Sequence, residues 1–118
     1  MYYNIHVPPN TPPKVSQQIR LIRGTVGATP SEQEAEARLH QEGYRPFRWT
    51  DVPGSTYPRH QHMNDECIWV ISGEITINIE NQDYILKPGD RLYLPKSIPH
   101  TACVPLSGPV TYLVGEKD

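Results

Sequence analysis

Gly54-Ser55-Thr56-Tyr57-Pro58-Arg59-His60-Gln61-His62-Met63-Asn64-Asp65-Glu66 opens a stretch that runs through Cys67-Ile68-Trp69-Val70-Ile71-Ser72 to Gly73. Side chains on an extended strand alternate faces, so His60 and His62 point the same way, about 6.6 Å apart along the chain. Two neutral imidazoles at that spacing reach one ion. Glu66 has the same even parity, and the polar Met63-Asn64-Asp65 step before it can turn the chain, so its carboxylate can return on the next strand. Cys67 has the opposite parity and is expected to point away. A fourth candidate ligand, His100, closes a second run, Gly89-Asp90-Arg91-Leu92-Tyr93-Leu94-Pro95-Lys96-Ser97-Ile98-Pro99-His100. Three imidazoles and a carboxylate form a mixed nitrogen and oxygen set, suited to Fe, Zn, Mn, Ni or Co rather than to thiophilic ions.

Together the two runs resemble the cupin signature. Gly54, His60, His62, Glu66 and Gly73 match every fixed position of the first cupin motif, and Gly89, Pro95 and His100 match the second. Ser97 stands where the family has glycine, which implies either a turn without a left-handed residue or a slightly strained one. Val104 stands where the family often has asparagine. The resemblance covers residues 44 to 115, and the front of the chain looks like the N-terminal region of small single-domain bacterial cupins. It implies one divalent transition metal per chain, held by His60, His62, Glu66 and His100.

Length and composition bound the rest. At 118 residues the chain is long enough for one domain with a core that needs no disulfide. A net charge of −2 gives no electrostatic footprint for nucleic acid or an anionic membrane. The first residues lack a charged start and an apolar core, and no apolar run has spanning length, so a cytoplasmic location is expected. Cys67 and Cys103 match no zinc-ribbon spacing, and both are expected to be small buried or half-buried strand residues. The 13 prolines are about twice the usual share and fall between apolar runs, as many short strands joined by tight turns require.

Along the chain, residues 1–28 read as a proline-rich arm followed by an edge strand at Ile19–Arg23, with no ligand-like neighbour for His6. The arm either frays or lies across a second copy, and the expected assembly is a homodimer. Residues 29–43 read as a surface helix, with Thr29 as N-cap, Pro30 in the first turn, Glu32 closing a capping box and Gly43 as the stop. Ala35 and Leu39 share its apolar face, and His40 is an exposed helix residue. Residues 44–118 read as the barrel, beginning with Phe47 and Trp49 on one face of a strand, where core or interface packing is expected. Asp51-Val52-Pro53-Gly54 is a turn, and Cys67 to Ser72 is a strand buried on both faces. Glu74 to Glu80 alternates cleanly, Asn81-Gln82-Asp83 turns it back, and Lys87-Pro88-Gly89-Asp90 fits a type II turn. Leu92 and Leu94 are expected to point inward, Arg91 and Tyr93 outward. The fold class is therefore all-β: a double-stranded β-helix, the jelly-roll cupin barrel, with one short peripheral N-terminal helix.

Four such ligands leave two positions open on an octahedral metal, for water, dioxygen or a bidentate substrate. The expected function is a divalent-metal-dependent enzyme acting on a small molecule, of dioxygenase type. The alternatives are a non-catalytic metal-bearing module that binds a small molecule, and a metal-dependent isomerase or decarboxylase. Ile68, Val70, Leu92, Leu94 and Ala102 are the expected inward neighbours of the site, with Tyr57, Arg59 and Tyr44 as candidates for its mouth. No general base beyond Glu66 is evident.

Overall fold

Alternation of apolar and polar residues is the rule in the strands, and it builds two antiparallel sheets around one core. A computed structural model describes residues 19–24 and 31–118. Within them lie nine strands: β1 Arg20–Ile22, β2 Arg45–Asp51, β3 Thr56–His60, β4 Asp65–Ser72, β5 Ile75–Ile79, β6 Gln82–Leu86, β7 Arg91–Leu94, β8 His100–Cys103 and β9 Val110–Lys117. One helix, α1, spans Glu32–Gln41. The strand orders are β1-β7-β4-β9-β2 in one sheet and β3-β8-β5-β6 in the other. The proline-rich arm, Thr29 and Pro30 lie outside the described residues. No described helix is long and apolar enough to cross a membrane.

The sheets meet through their even-numbered or odd-numbered faces according to strand. Ile75, Ile77 and Ile79 of β5 pack against Ile68 and Val70 of β4 and Leu92 and Leu94 of β7. Fully burying each such side chain stabilises the fold by about 1.5–3 kcal/mol. The opposite face of the five-stranded sheet is covered as well. Ala35 and Leu39 of α1 pack with Tyr44, Cys67, Trp69, Tyr93 and Leu113 in a second cluster. This is why β4 is apolar from Cys67 to Ile71. Arg91 and Tyr93 face away from the inter-sheet core, as expected, but this outer face is covered: Tyr93 is buried against α1 and donates to Glu42 Oε1 at 2.5 Å, and the Arg91 guanidinium stacks 4.5 Å above the Trp69 ring.

Local punctuation differs from the sequence reading in three places. The helix is capped by Ser31, whose hydroxyl accepts from the Glu34 amide while the Glu34 carboxylate accepts from the Ser31 amide. The capping box is thus Ser31 and Glu34, rather than Thr29 and Glu32. The β5–β6 hairpin turns on Glu80 and Asn81, with φ of 51° and 64°, and Gln82 and Asp83 already belong to β6. Two left-handed residues in a two-residue loop match the right-handed twist of the strands. Cys103 is exposed, whereas Cys67 is buried.

Asp90 ties the β6–β7 turn to the end of β1. The turn has the expected hydrogen bond, Asp90 amide to Lys87 carbonyl at 2.9 Å, with Gly89 at φ 93°. The Asp90 carboxylate accepts from the Gly24 amide at 2.7 Å, the Lys87 amide at 2.9 Å and Arg23 at 2.8 Å. Burial opposes its charge, but the two amides and the guanidinium outweigh burial and hold the carboxyl below its usual range. Arg23 is largely exposed, so the amides carry most of the effect. Asp90→Asn is expected to cost about 1.5–3 kcal/mol near neutral pH. A lowered folded pKa makes that advantage full above the unfolded carboxylate value near 3.9 and lost as pH falls through the folded one. Urea unfolding of both proteins from neutral to acidic pH measures the convergence.

Candidate metal centre and its cavity

β3 is an edge strand, which lets it carry Pro58 without losing a ladder bond. It ends at His60, which sits opposite His100 at the start of β8, after a register shift between Tyr57 and His60. His62 lies just beyond the strand, yet its ring returns to the other two. The ring centroids are 4.4 Å apart for His60 and His100, 4.8 Å for His60 and His62, and 5.3 Å for His62 and His100. One nitrogen from each lies within 4.8 Å of the others, close enough to share an ion. Glu66 comes from β4 in the facing sheet rather than from a paired neighbour of β3, and its Oε2 lies 3.2 Å from His62 Nδ1. It stands outside the three-imidazole group itself.

Backbone carbonyls orient two of the rings. His60 Nδ1 lies 2.7 Å from the Pro58 carbonyl and His100 Nδ1 lies 2.9 Å from the Ile98 carbonyl. A carbonyl only accepts, so each Nδ1 carries the proton and each neutral ring keeps a bare Nε2. Burial holds the His62 and His100 rings below their usual pKa, and the neighbouring imidazoles add to it; the Ile98 carbonyl opposes the shift at His100. Burial pushes the Glu66 carboxyl up to about 7, and the Glu116 carboxylate adds to that shift. Donor type, tautomer and neutrality all fit a divalent metal of intermediate hardness.

Ser97 holds the turn before β8 against this group. Its φ is 66°, so the strained alternative for this position is the one realised. Its amide donates to the His62 carbonyl at 2.9 Å, clasping the segment that carries His62. Ser97→Gly is expected to raise stability by less than about 1 kcal/mol, because relief of left-handed strain is partly offset by the freedom of unfolded glycine. Ser97→Val is expected to lose about 2 kcal/mol, a β-branched residue being poorly tolerated there. Thermal unfolding of the pair measures both signs.

The imidazoles and Glu66 border a cavity of about 310 Å³. Ile68 and Ala102 line it as expected, joined by Ile75, Ile77 and Val114. Val70, Leu92 and Leu94 belong to the packed core instead. Phe47 and Trp49, 43% and 48% exposed, stand at its rim rather than in the core. Tyr57 lines the cavity, but Arg59 does not. Tyr44 is buried beneath α1, where burial pushes its hydroxyl up to about 12.

A polar group escaped the sequence reading. Asp51 ends β2 and is buried, rather than sitting in a turn. It accepts hydrogen bonds from Tyr57 at 2.5 Å, Tyr112 at 2.7 Å and the Trp49 indole at 3.0 Å. Burial and Asp51 both raise the pKa of Tyr57 and Tyr112. Glu116 also lines the cavity. The signal was present: Phe47, Trp49 and Asp51 share one parity on β2, and Tyr112, Val114 and Glu116 share one on β9. Cys67 lies on the helix-covered face rather than with the imidazoles, and burial pushes its thiol up to about 12.

The family model for the cupin domain matches residues 47–115, more than half of the chain. The chain belongs to the cupin family. This cupin is similar to a cupin protein from Bacteroides fragilis, with 22% identity and a TM-score of 0.57 over 64% of this chain and 66% of that one. It is similar to the polyketide cyclase RemF from Streptomyces resistomycificus, with 18% identity and a TM-score of 0.57 over 64% and 55% of the two chains. A chain from the crystal structures of the DMSP lyases RdDddP and RnDddQII matches with 28% identity and a TM-score of 0.56, over 64% of this cupin and 38% of that chain. The cupin thus spans less than two thirds of each of these proteins. A comparison with curated proteins finds no match.

Proposed function

We propose that this cupin is a metal-dependent enzyme acting on a small molecule, with His60, His62, Glu66 and His100 holding one divalent transition metal and a dioxygenase-type reaction as its chemistry. One observation carries the reading: three imidazoles, from the end of β3, the segment just after it and the start of β8, meet at the cavity, two of them aimed by backbone carbonyls. When bound, the metal supplies Lewis-acid or one-electron chemistry at that point. The chain supplies the rest. Aliphatic side chains keep water from the reacting end, and Phe47 and Trp49 hold an apolar substrate at the rim.

A second reading, an elimination that uses the metal only as a Lewis acid, is favoured by the likeness to the DMSP lyase chain. A sugar-phosphate isomerase has less support, because among the described residues no Lys or Arg lines the cavity. The experiment loads the chain anaerobically with Fe(II) and follows oxygen uptake with diketones, flavonols, thiols and aromatic acids. Substrate-dependent uptake is expected. Turnover under nitrogen without uptake would favour the elimination, and turnover under neither condition would leave a binding module.

A further inference from the structure

The polar hydrogens on the side chains that line the cavity are already engaged within the protein. The Trp49 indole N–H lies 3.0 Å from Asp51 Oδ1 and 3.2 Å from the Tyr57 hydroxyl. Tyr57 and Tyr112 both donate to the Asp51 carboxylate. His60 and His100 donate through Nδ1 to backbone carbonyls, and His62 Nδ1 faces Glu66. What remains for a ligand is a set of acceptors: phenolic lone pairs and the Glu116 carboxylate, joined by the bare imidazole nitrogens where no metal takes them. No lysine or arginine among the described residues lines the cavity.

A carboxylate or phosphate placed against this wall would find no free side-chain donor among the described residues, and an unpaired buried polar group is strongly selected against. An ammonium or hydroxyl would find partners and complementary charge. The remaining surface is apolar, with Phe47 and Trp49 half exposed at the rim, and a volume of about 310 Å³ holds one ring with a short tail.

We infer that the cavity selects a single-ring aromatic molecule whose polar groups donate hydrogen bonds, an amine or a hydroxyl, and rejects one bearing an anionic tail except where that tail reaches the metal. Only the last clause rests on the proposed metal centre.

Calorimetric titration of the full chain with tyramine and with para-hydroxyphenylpropionate, which share a ring and differ in tail charge, tests it. Each titration is run on protein as purified and after dialysis against a chelator, with metal content and circular dichroism measured on the same samples. After chelation tyramine is expected to bind at least about tenfold more tightly than the carboxylate. Glu116→Gln is expected to narrow that ratio, and Trp49→Ala to weaken both ligands. Equal binding of the two after chelation, or binding of neither, would overturn the inference. A tyramine preference in protein that never holds metal would support the acceptor wall while defeating the metal centre.

Discussion

Replacing His100 with alanine is expected to lower the affinity for a divalent metal by at least about 100-fold, since even groups that only orient a ligand are worth 10–100-fold. His100 is 4% exposed, pairs in register with His60 and has its bare nitrogen aimed by the Ile98 carbonyl. Its loss leaves two imidazoles and a carboxylate, with no ligand from β8. The unpaired Ile98 carbonyl costs about 1–3 kcal/mol, which a domain of ordinary stability survives. Equilibrium dialysis with elemental analysis measures the affinity, and circular dichroism verifies the fold. His40→Ala, at an exposed position on α1, is the control and should bind metal as the unaltered chain does. Unchanged affinity in His100→Ala would remove His100 from the site.

Gly73→Ala is expected to destabilise the fold by about 3–5 kcal/mol, the range in which single substitutions have an identifiable steric cause. A Cβ at this corner between β4 and β5 would lie 2.1 Å from the Pro109 carbonyl oxygen and 2.8 Å from the Val110 Cα. Both are backbone atoms and cannot rotate away. The φ of 79° adds left-handed strain for any residue with a Cβ. Gly108→Ala, with nothing within 4 Å of its Cβ, should cost less than about 1 kcal/mol. Urea unfolding compares the two, and equal midpoints would mean that the corner does not press on the start of β9.

Spacing made the four candidate ligands legible, because a period of two and a few glycine corners leave little freedom in where strand residues face. His60 and His100 show this most directly, since one register pair brings them together. The same periodicity pointed to the remaining wall, yet Asp51 was hidden by the turn-like Asp51-Val52-Pro53-Gly54, and a strand end and a turn start share that composition. Phe47 and Trp49 have core chemistry but rim positions, and only the sheet edge on which β2 lies distinguishes the two. Tyr93 and Arg91 point outward as the alternation requires, yet Tyr93 is buried there, because alternation tells which residues share a face and not whether a helix covers it. Ser31 displaced Thr29 as the cap because both head a Ser/Thr-x-x-Glu-like start, and the reciprocal bonds with Glu34 decide between them.

X-ray absorption at the metal edge of the full chain, loaded with one equivalent of Fe(II) or Zn(II), bears most directly on the claim that His60, His62 and His100, with Glu66 across the sandwich, hold a single cation. A first shell of nitrogen and oxygen only, with outer-shell scattering from about three imidazoles, is the predicted spectrum. Sulfur in the first shell, or imidazole scattering from fewer than two rings, would contradict it.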